Sequence, residues 1–121
     1  MLNAAWFAGI EIVTFRPHSI YFTRYPICRE ATISRNTIDL VLRNDSPYPI
    51  TIDMASSDRA ATVNLISRPW ASVTTSTAAP SNIVGGVGGA FTTSCTRTVT
   101  YPDGRRSSET YRWRYSEGYP G

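Results

Sequence analysis

The stretch Leu2-Asn3-Ala4-Ala5-Trp6-Phe7-Ala8-Gly9-Ile10-Glu11-Ile12-Val13-Thr14-Phe15 decides the fold class, because its apolar period changes partway along. Leu2, Ala5, Trp6 and Gly9 follow helical spacing, the alanines favour the helical state, and Gly9 can end it. Residues 11–15 are β-branched or aromatic at most positions, which predicts a strand. No later segment repeats the helical period. The expected fold is therefore α+β: a short N-terminal helix packed on a mostly antiparallel β-sheet, followed by a C-terminal β-hairpin. The helix has little more than two turns and no capping side chain, so residues 1–9 are expected to fray unless they are packed.

Downstream of this stretch, Arg16-Pro17-His18-Ser19 breaks the strand. Residues 20–25 read as extended again, Pro26-Ile27-Cys28-Arg29 as a loop, and residues 31–34 as briefly extended. Residues 39–43, 50–54 and 61–66 alternate in the strand manner, with Asn44-Asp45-Ser46-Pro47 and Ser56-Ser57-Asp58 as turns, which predicts a β-meander over 39–67. Residues 68–89, rich in Ser, Thr, Ala and Gly, read as a linker. Their glycines lack both the GK[ST] of a phosphate loop and the Rossmann spacing, so no nucleotide cofactor is implied. Residues 90–121 read as a separate hairpin tail turning at Tyr101-Pro102-Asp103-Gly104. Tyr111, Trp113 and Tyr115 share one face of its return strand, and Arg112 and Arg114 share the other. That aromatic stripe is expected to be the buried face of the hairpin, with a stacking platform for sugars or bases as the alternative.

All twelve basic residues are Arg, the net charge is +3, and the arginines are spread from Arg16 to Arg114. Solvated sheet faces explain such scatter most simply, with weak attraction to an anionic wall polymer or nucleic acid as the alternative, and no nucleic-acid partner is expected. No apolar run approaches the ~20 residues of a membrane span. The N-terminus has no basic leader before its apolar stretch and reads as a poor secretory signal. Cys28 and Cys95 match no metal motif and are expected as two partly buried free thiols, with a disulfide as the alternative. His18 is the single histidine, so no metal site is expected. Ser19 beside it points to the opposite face if extended and forms no triad. Arg29 and Glu30 also diverge if extended and read as a solvated pair. Asp39, Asp45 and Asp53 are scattered, with no paired-carboxylate pattern.

The order of motifs resembles the VanW-like family. Residues 3–12 are similar to the family segment in which a helix runs into a strand. Arg16-Pro17-His18-Ser19, then Arg24-Tyr25-Pro26, then Arg29-Glu30-Ala31-Thr32-Ile33-Ser34 resemble its His-Ser, Tyr-Pro and Arg-acid-Ala-Thr blocks. Asp39-Leu40 with Arg43-Asn44-Asp45-Ser46-Pro47-Tyr48-Pro49-Ile50 resembles the next block. On this resemblance residues 1–67 are the C-terminal part of a VanW-like domain. It implies an accessory protein of the Gram-positive cell envelope, extracytoplasmic for full-length members and associated with glycopeptide (vancomycin) resistance. Peptidoglycan or its precursors are the implied partners, with no cofactor. Arg24, Tyr25 and Arg29, lying in the family blocks, are the implied binding residues.

Two departures from the family pattern stand out. The family's Gly-Gly-Gly-x-Cys-Gln stretch, upstream of the helix, is not in this chain, and Cys28 stands where the family usually has Gly. A cysteine at a helix N-terminus followed by a strand carrying His is the element order of papain-like thiol enzymes. In a complete homologue His18 would then be the base, with Glu30 or Asp39 as its orienter. This chain is expected to be non-catalytic, the alternative being a fragment of a thiol-dependent wall peptidase or transpeptidase.

Overall fold

The computed structural model describes residues 1–121. One helix, α1 (Leu2–Ala8), is followed by eight strands: β1 (Glu11–Thr14), β2 (Val41–Arg43), β3 (Thr51–Ser56), β4 (Ala61–Ile66), β5 (Ser72–Thr77), β6 (Ser81–Val84), β7 (Ala90–Thr100) and β8 (Arg106–Tyr115). Every strand pair is antiparallel. The fold is thus α+β, with a short N-terminal helix, antiparallel sheets and a C-terminal strand pair.

α1 forms where the alanines and the helical spacing predict it. Gly9 stops it at φ 78°, a left-handed conformation that costs glycine nothing. Leu2, Ala5 and Trp6 are buried on its inner stripe. The helix is packed, and a partner distant in sequence holds its end. Arg97 on β7 donates from Nε to the Trp6 carbonyl at 3.0 Å and from Nη2 to the Ile10 carbonyl at 2.8 Å and the Ala5 carbonyl at 3.4 Å. The last carbonyls of a helix have no intrahelical donor, and a buried cation at that end also suits the helix dipole.

β7 is the organising strand. Phe91, Thr93, Cys95, Arg97 and Val99 alternate on its buried face. On the other face its threonines meet the hydroxyls of β8, with Thr96 Oγ1 3.0 Å from Thr110 Oγ1 and Thr98 Oγ1 2.9 Å from Ser108 Oγ. β8 runs along one edge of β7 from Phe91↔Tyr115 to Thr100↔Arg106. The other edge is shared: β5 pairs with residues 95–100 and β6 meets residues 90 and 92.

This topology corrects two expectations. Residues 68–89 are not a linker, because β5 and β6 lie within them and complete the sheet. Most of the serines and threonines of β5 are exposed strand residues, Thr75 being half-buried, a composition that resembles a flexible connector although β-branched Thr suits a strand. The C-terminal hairpin is not separate either, since its inner face forms the floor on which α1 packs. Leu2, Trp6, Ile12, Cys28 and Cys95 form one buried cluster, flanked by Phe15, Leu42, Val73 and Tyr111.

The meander is also corrected. β3 and β4 pair in register from Thr51↔Ile66 to Ser56↔Ala61, but β2 pairs with β1. Ile12 faces Leu42 across that pair, and Glu11 meets Arg43 at 3.3 Å. The Asn44 side chain turns the chain away from β3, accepting from the Ser46 N–H at 3.1 Å and donating to the Tyr48 carbonyl at 2.7 Å. Residues 20–25, expected to be extended, form a turn closed by Tyr25 N–H to the Phe22 carbonyl at 2.9 Å, and only Ile20 bridges to Glu117. The prolines at 17 and 26 bracket this turn, and Tyr21 packs against Phe91 and Tyr115 rather than along a strand.

Candidate functional site

The loop between β1 and β2 lies against the end of β8, and the two meet at Glu30. The carboxylate is buried, its side chain 5% exposed, while that of His18 is 37% exposed. Glu30 Oε1 accepts from the His18 backbone N–H at 2.8 Å and from the Tyr115 hydroxyl at 2.9 Å. Glu30 Oε2 contacts His18 Nδ1. A carboxylate oxygen only accepts, so Nδ1 carries a proton, and in the neutral imidazole Nε2 presents a lone pair. The backbone is held as well, because Trp113 Nε1 donates to the His18 carbonyl at 3.0 Å. The Tyr25 ring stacks on the imidazole at 5.0 Å and 12°. His18 is thereby fixed in tautomer and ring plane.

Burial, reinforced by the bond to the Glu30 carboxylate, pushes the Tyr115 hydroxyl well above its ordinary value near 10. Tyr115 therefore remains a neutral donor at physiological pH. Among the residues expected to bind, Arg24 lies exposed with its guanidinium 5.4 Å from the Tyr25 ring centre and 5.6 Å from that of Phe22. It has no carboxylate within ion-pair distance. Arg29 turns to α1, where Nε donates to Asn3 Oδ1 at 2.9 Å and the guanidinium lies over Phe7 at 5.3 Å. Arg29 and Glu30 do diverge, but they are no solvated pair: Glu30 points inward. Asp39 is exposed, and its carboxylate makes no hydrogen bond to His18. The structure thus brings together His18, Glu30, Tyr25 and Arg24, and leaves Asp39 and Arg29 outside the group.

Tyr115 and Trp113 are the members that sequence reasoning left in the core. Their alternation marked a buried face, but nothing local tied that face to residues some ninety positions earlier. Beside the group, a cavity of about 370 Å³ is lined by residues of β1 and β8 together with Pro17 and Cys28. Cys28 does not serve His18. Its buried sulfur is 3.7 Å from Thr93 Oγ1 and packs with Cys95. Both cysteines are free thiols.

Cys28 adopts φ 65°, the left-handed region that favours glycine. An L side chain costs about 1–2 kcal/mol there. Cys28→Gly is therefore expected to lie within about 1 kcal/mol of the parent, as relief of strain offsets the lost burial. Cys28→Ala keeps the strain, loses the sulfur, and should be the less stable variant. Urea melts of the two rank them, and a more stable alanine variant would refute the strain at this position.

The family model described as VanW like protein matches residues 1–66. No similar curated protein and no similar solved structure was found. The match spans more than half of the chain and takes in α1 through β4 with the whole His18–Glu30 loop, so the chain belongs to the VanW-like family.

Proposed function

We propose that this chain serves the bacterial cell envelope as an accessory protein of glycopeptide resistance, binding wall peptide rather than cleaving it. The observation that carries this reading is the group His18–Tyr25–Arg24: an oriented imidazole stacked on a tyrosine whose neighbour is an exposed arginine without a carboxylate partner. Nε2 of His18 accepts a hydrogen bond from a peptide N–H. The Arg24 fork suits the carboxylates that wall peptides carry. No nucleophile approaches His18, since Cys28 is turned into the core, which favours binding over cleavage.

A second reading is favoured by the same buried carboxylate. A histidine held at Nδ1 by an acidic group is the arrangement of a general base. In a family member carrying the Gly-Gly-Gly-x-Cys-Gln cysteine, the histidine at this position would activate that thiol, giving a thiol-dependent wall peptidase or transpeptidase.

Calorimetric titration with soluble peptidoglycan fragments tests the first reading. Arg24→Gln and His18→Ala are each expected to weaken binding about tenfold, the loss of one charge-assisted or oriented hydrogen bond. Parent-like affinity in both variants, or no binding by the parent chain, would refute it. Release of amino acids from the same fragments by a family member that carries the upstream cysteine, lost when that cysteine is changed to serine, would support the enzymatic reading.

A further inference from the structure

The two thiols meet although they come from opposite ends of the chain. Cys28 belongs to the loop carrying Arg29 and Glu30, and Cys95 to the middle of β7. Both are buried in one cluster, yet Cys28 also lines the cavity between β1 and β8. A cavity of about 370 Å³ admits a molecule as small as a hydroperoxide. The pair is therefore asymmetric: Cys28 borders the cavity, and Cys95 does not.

We propose that Cys28 and Cys95 form a peroxide-reactive pair, in which Cys28 is oxidised from the cavity and Cys95 closes an intramolecular disulfide. In the first step the Cys28 thiolate attacks one oxygen of hydrogen peroxide. The O–O bond breaks, Cys28 becomes a sulfenic acid, and the departing hydroxide takes up one proton and leaves as water. In the second step the Cys95 sulfur attacks the Cys28 sulfur. The S–O bond breaks, the Cys95 proton leaves with the hydroxyl as a second water, and the S–S bond forms. Two thiols lose two electrons and the peroxide takes them up.

The electrostatics fit these roles. The hydrogen bond from Cys95, aided by Thr93, holds the Cys28 thiol below its ordinary value near 9 in spite of burial. Cys95, which makes that bond as a thiol and is itself buried, is held above the ordinary value. The thiolate is the nucleophile, so Cys28 reacts first and Cys95 resolves. The crosslink ties the loop bearing Glu30 to β7, so the same chemistry anchors the carboxylate that orients His18.

The test treats the purified full chain with hydrogen peroxide and follows thiol titration in denaturant with non-reducing peptide mapping. Both free thiols are expected to disappear, with a Cys28 peptide linked to a Cys95 peptide within a monomer and released by dithiothreitol. Cys95→Ser should stop at a sulfenic acid on Cys28, trapped by dimedone. In Cys28→Ser, oxidation of Cys95 should slow by at least about tenfold. Two thiols that survive in the folded parent, disulfides that join separate chains, or a Cys95 that reacts as fast without Cys28 would each overturn the proposal. The parent-chain mapping decides the matter even if a variant fails to fold.

Discussion

Arg97→Ala is expected to cost roughly 3–5 kcal/mol of unfolding free energy, from two or three buried carbonyls left without a donor at about 1–3 each. The guanidinium is almost fully buried, and burial lowers its pKa, yet no carboxylate pairs with it. Its partners are the carbonyls of Ala5, Trp6 and Ile10, and its charge lies 5.7 Å from the centre of the Trp6 ring. A small domain has only about 5–15 kcal/mol in hand, so the variant should sit close to unfolding at room temperature. Arg97→Lys keeps the charge but reaches fewer carbonyls from one ammonium, and should recover only part of the loss. Urea denaturation with tryptophan fluorescence reads both. A loss under about 1 kcal/mol in Arg97→Ala would mean that water replaces the guanidinium at the helix end.

Glu30 carries the second large effect. Glu30→Ala removes the acceptor for the His18 N–H, the His18 ring and the Tyr115 hydroxyl together. Three donors without partners predict a loss of about 2–4 kcal/mol and a freely rotating imidazole. Glu30→Gln is the more informative change, since it keeps the shape. Its amide oxygen can still accept from the His18 N–H and from Tyr115, which leaves the NH₂ facing Nδ1. Two donors cannot share that contact, so the ring proton should move to Nε2. The exposed nitrogen then changes from acceptor to donor. Long-range ¹H–¹⁵N spectra of the imidazole detect this exchange directly. Wall-peptide affinity should fall with it as far as in His18→Ala. An unchanged tautomer in Glu30→Gln would show that Glu30 does not orient the ring.

The helix, the β3–β4 hairpin and the Tyr101-Pro102-Asp103-Gly104 turn were legible because each is written in neighbouring residues. Spacing marked α1, alternation marked the hairpin, and Gly104 takes φ 89° in the turn that its type demands. The family resemblance was legible for the same reason, as ordered short blocks. What failed was partnership at long range. β2 could have paired with β3 on pattern alone, and nothing in residues 72–77 says that they lie along residues 95–100. Glu30 looked like half of a surface ion pair, because its burial depends on Tyr115. Arg97 looked like one more solvated arginine on a Thr-rich strand, although its alternation with Cys95 and Val99 placed it on the inward face. The left-handed backbone at Cys28 has one trace in the sequence, the glycine that the family usually has there, since no local rule predicts φ > 0 at a cysteine.

The dependence of α1 on β7 has a consequence for the order of events during synthesis. The helix emerges well before its partners, since the guanidinium that ends it and the strand that floors its core are encoded some ninety residues later. At a ribosomal pace of roughly 5–20 residues per second, the nascent N-terminal segment waits about 5–20 seconds for them. During that interval Trp6 and Leu2 have no permanent cover, and a short helix alone is not stable in water. The chain should therefore stay sensitive to proteases and receptive to chaperones until β7 and β8 have left the exit tunnel. It should then fold in one late step rather than vectorially, with α1 among the last elements to become protected.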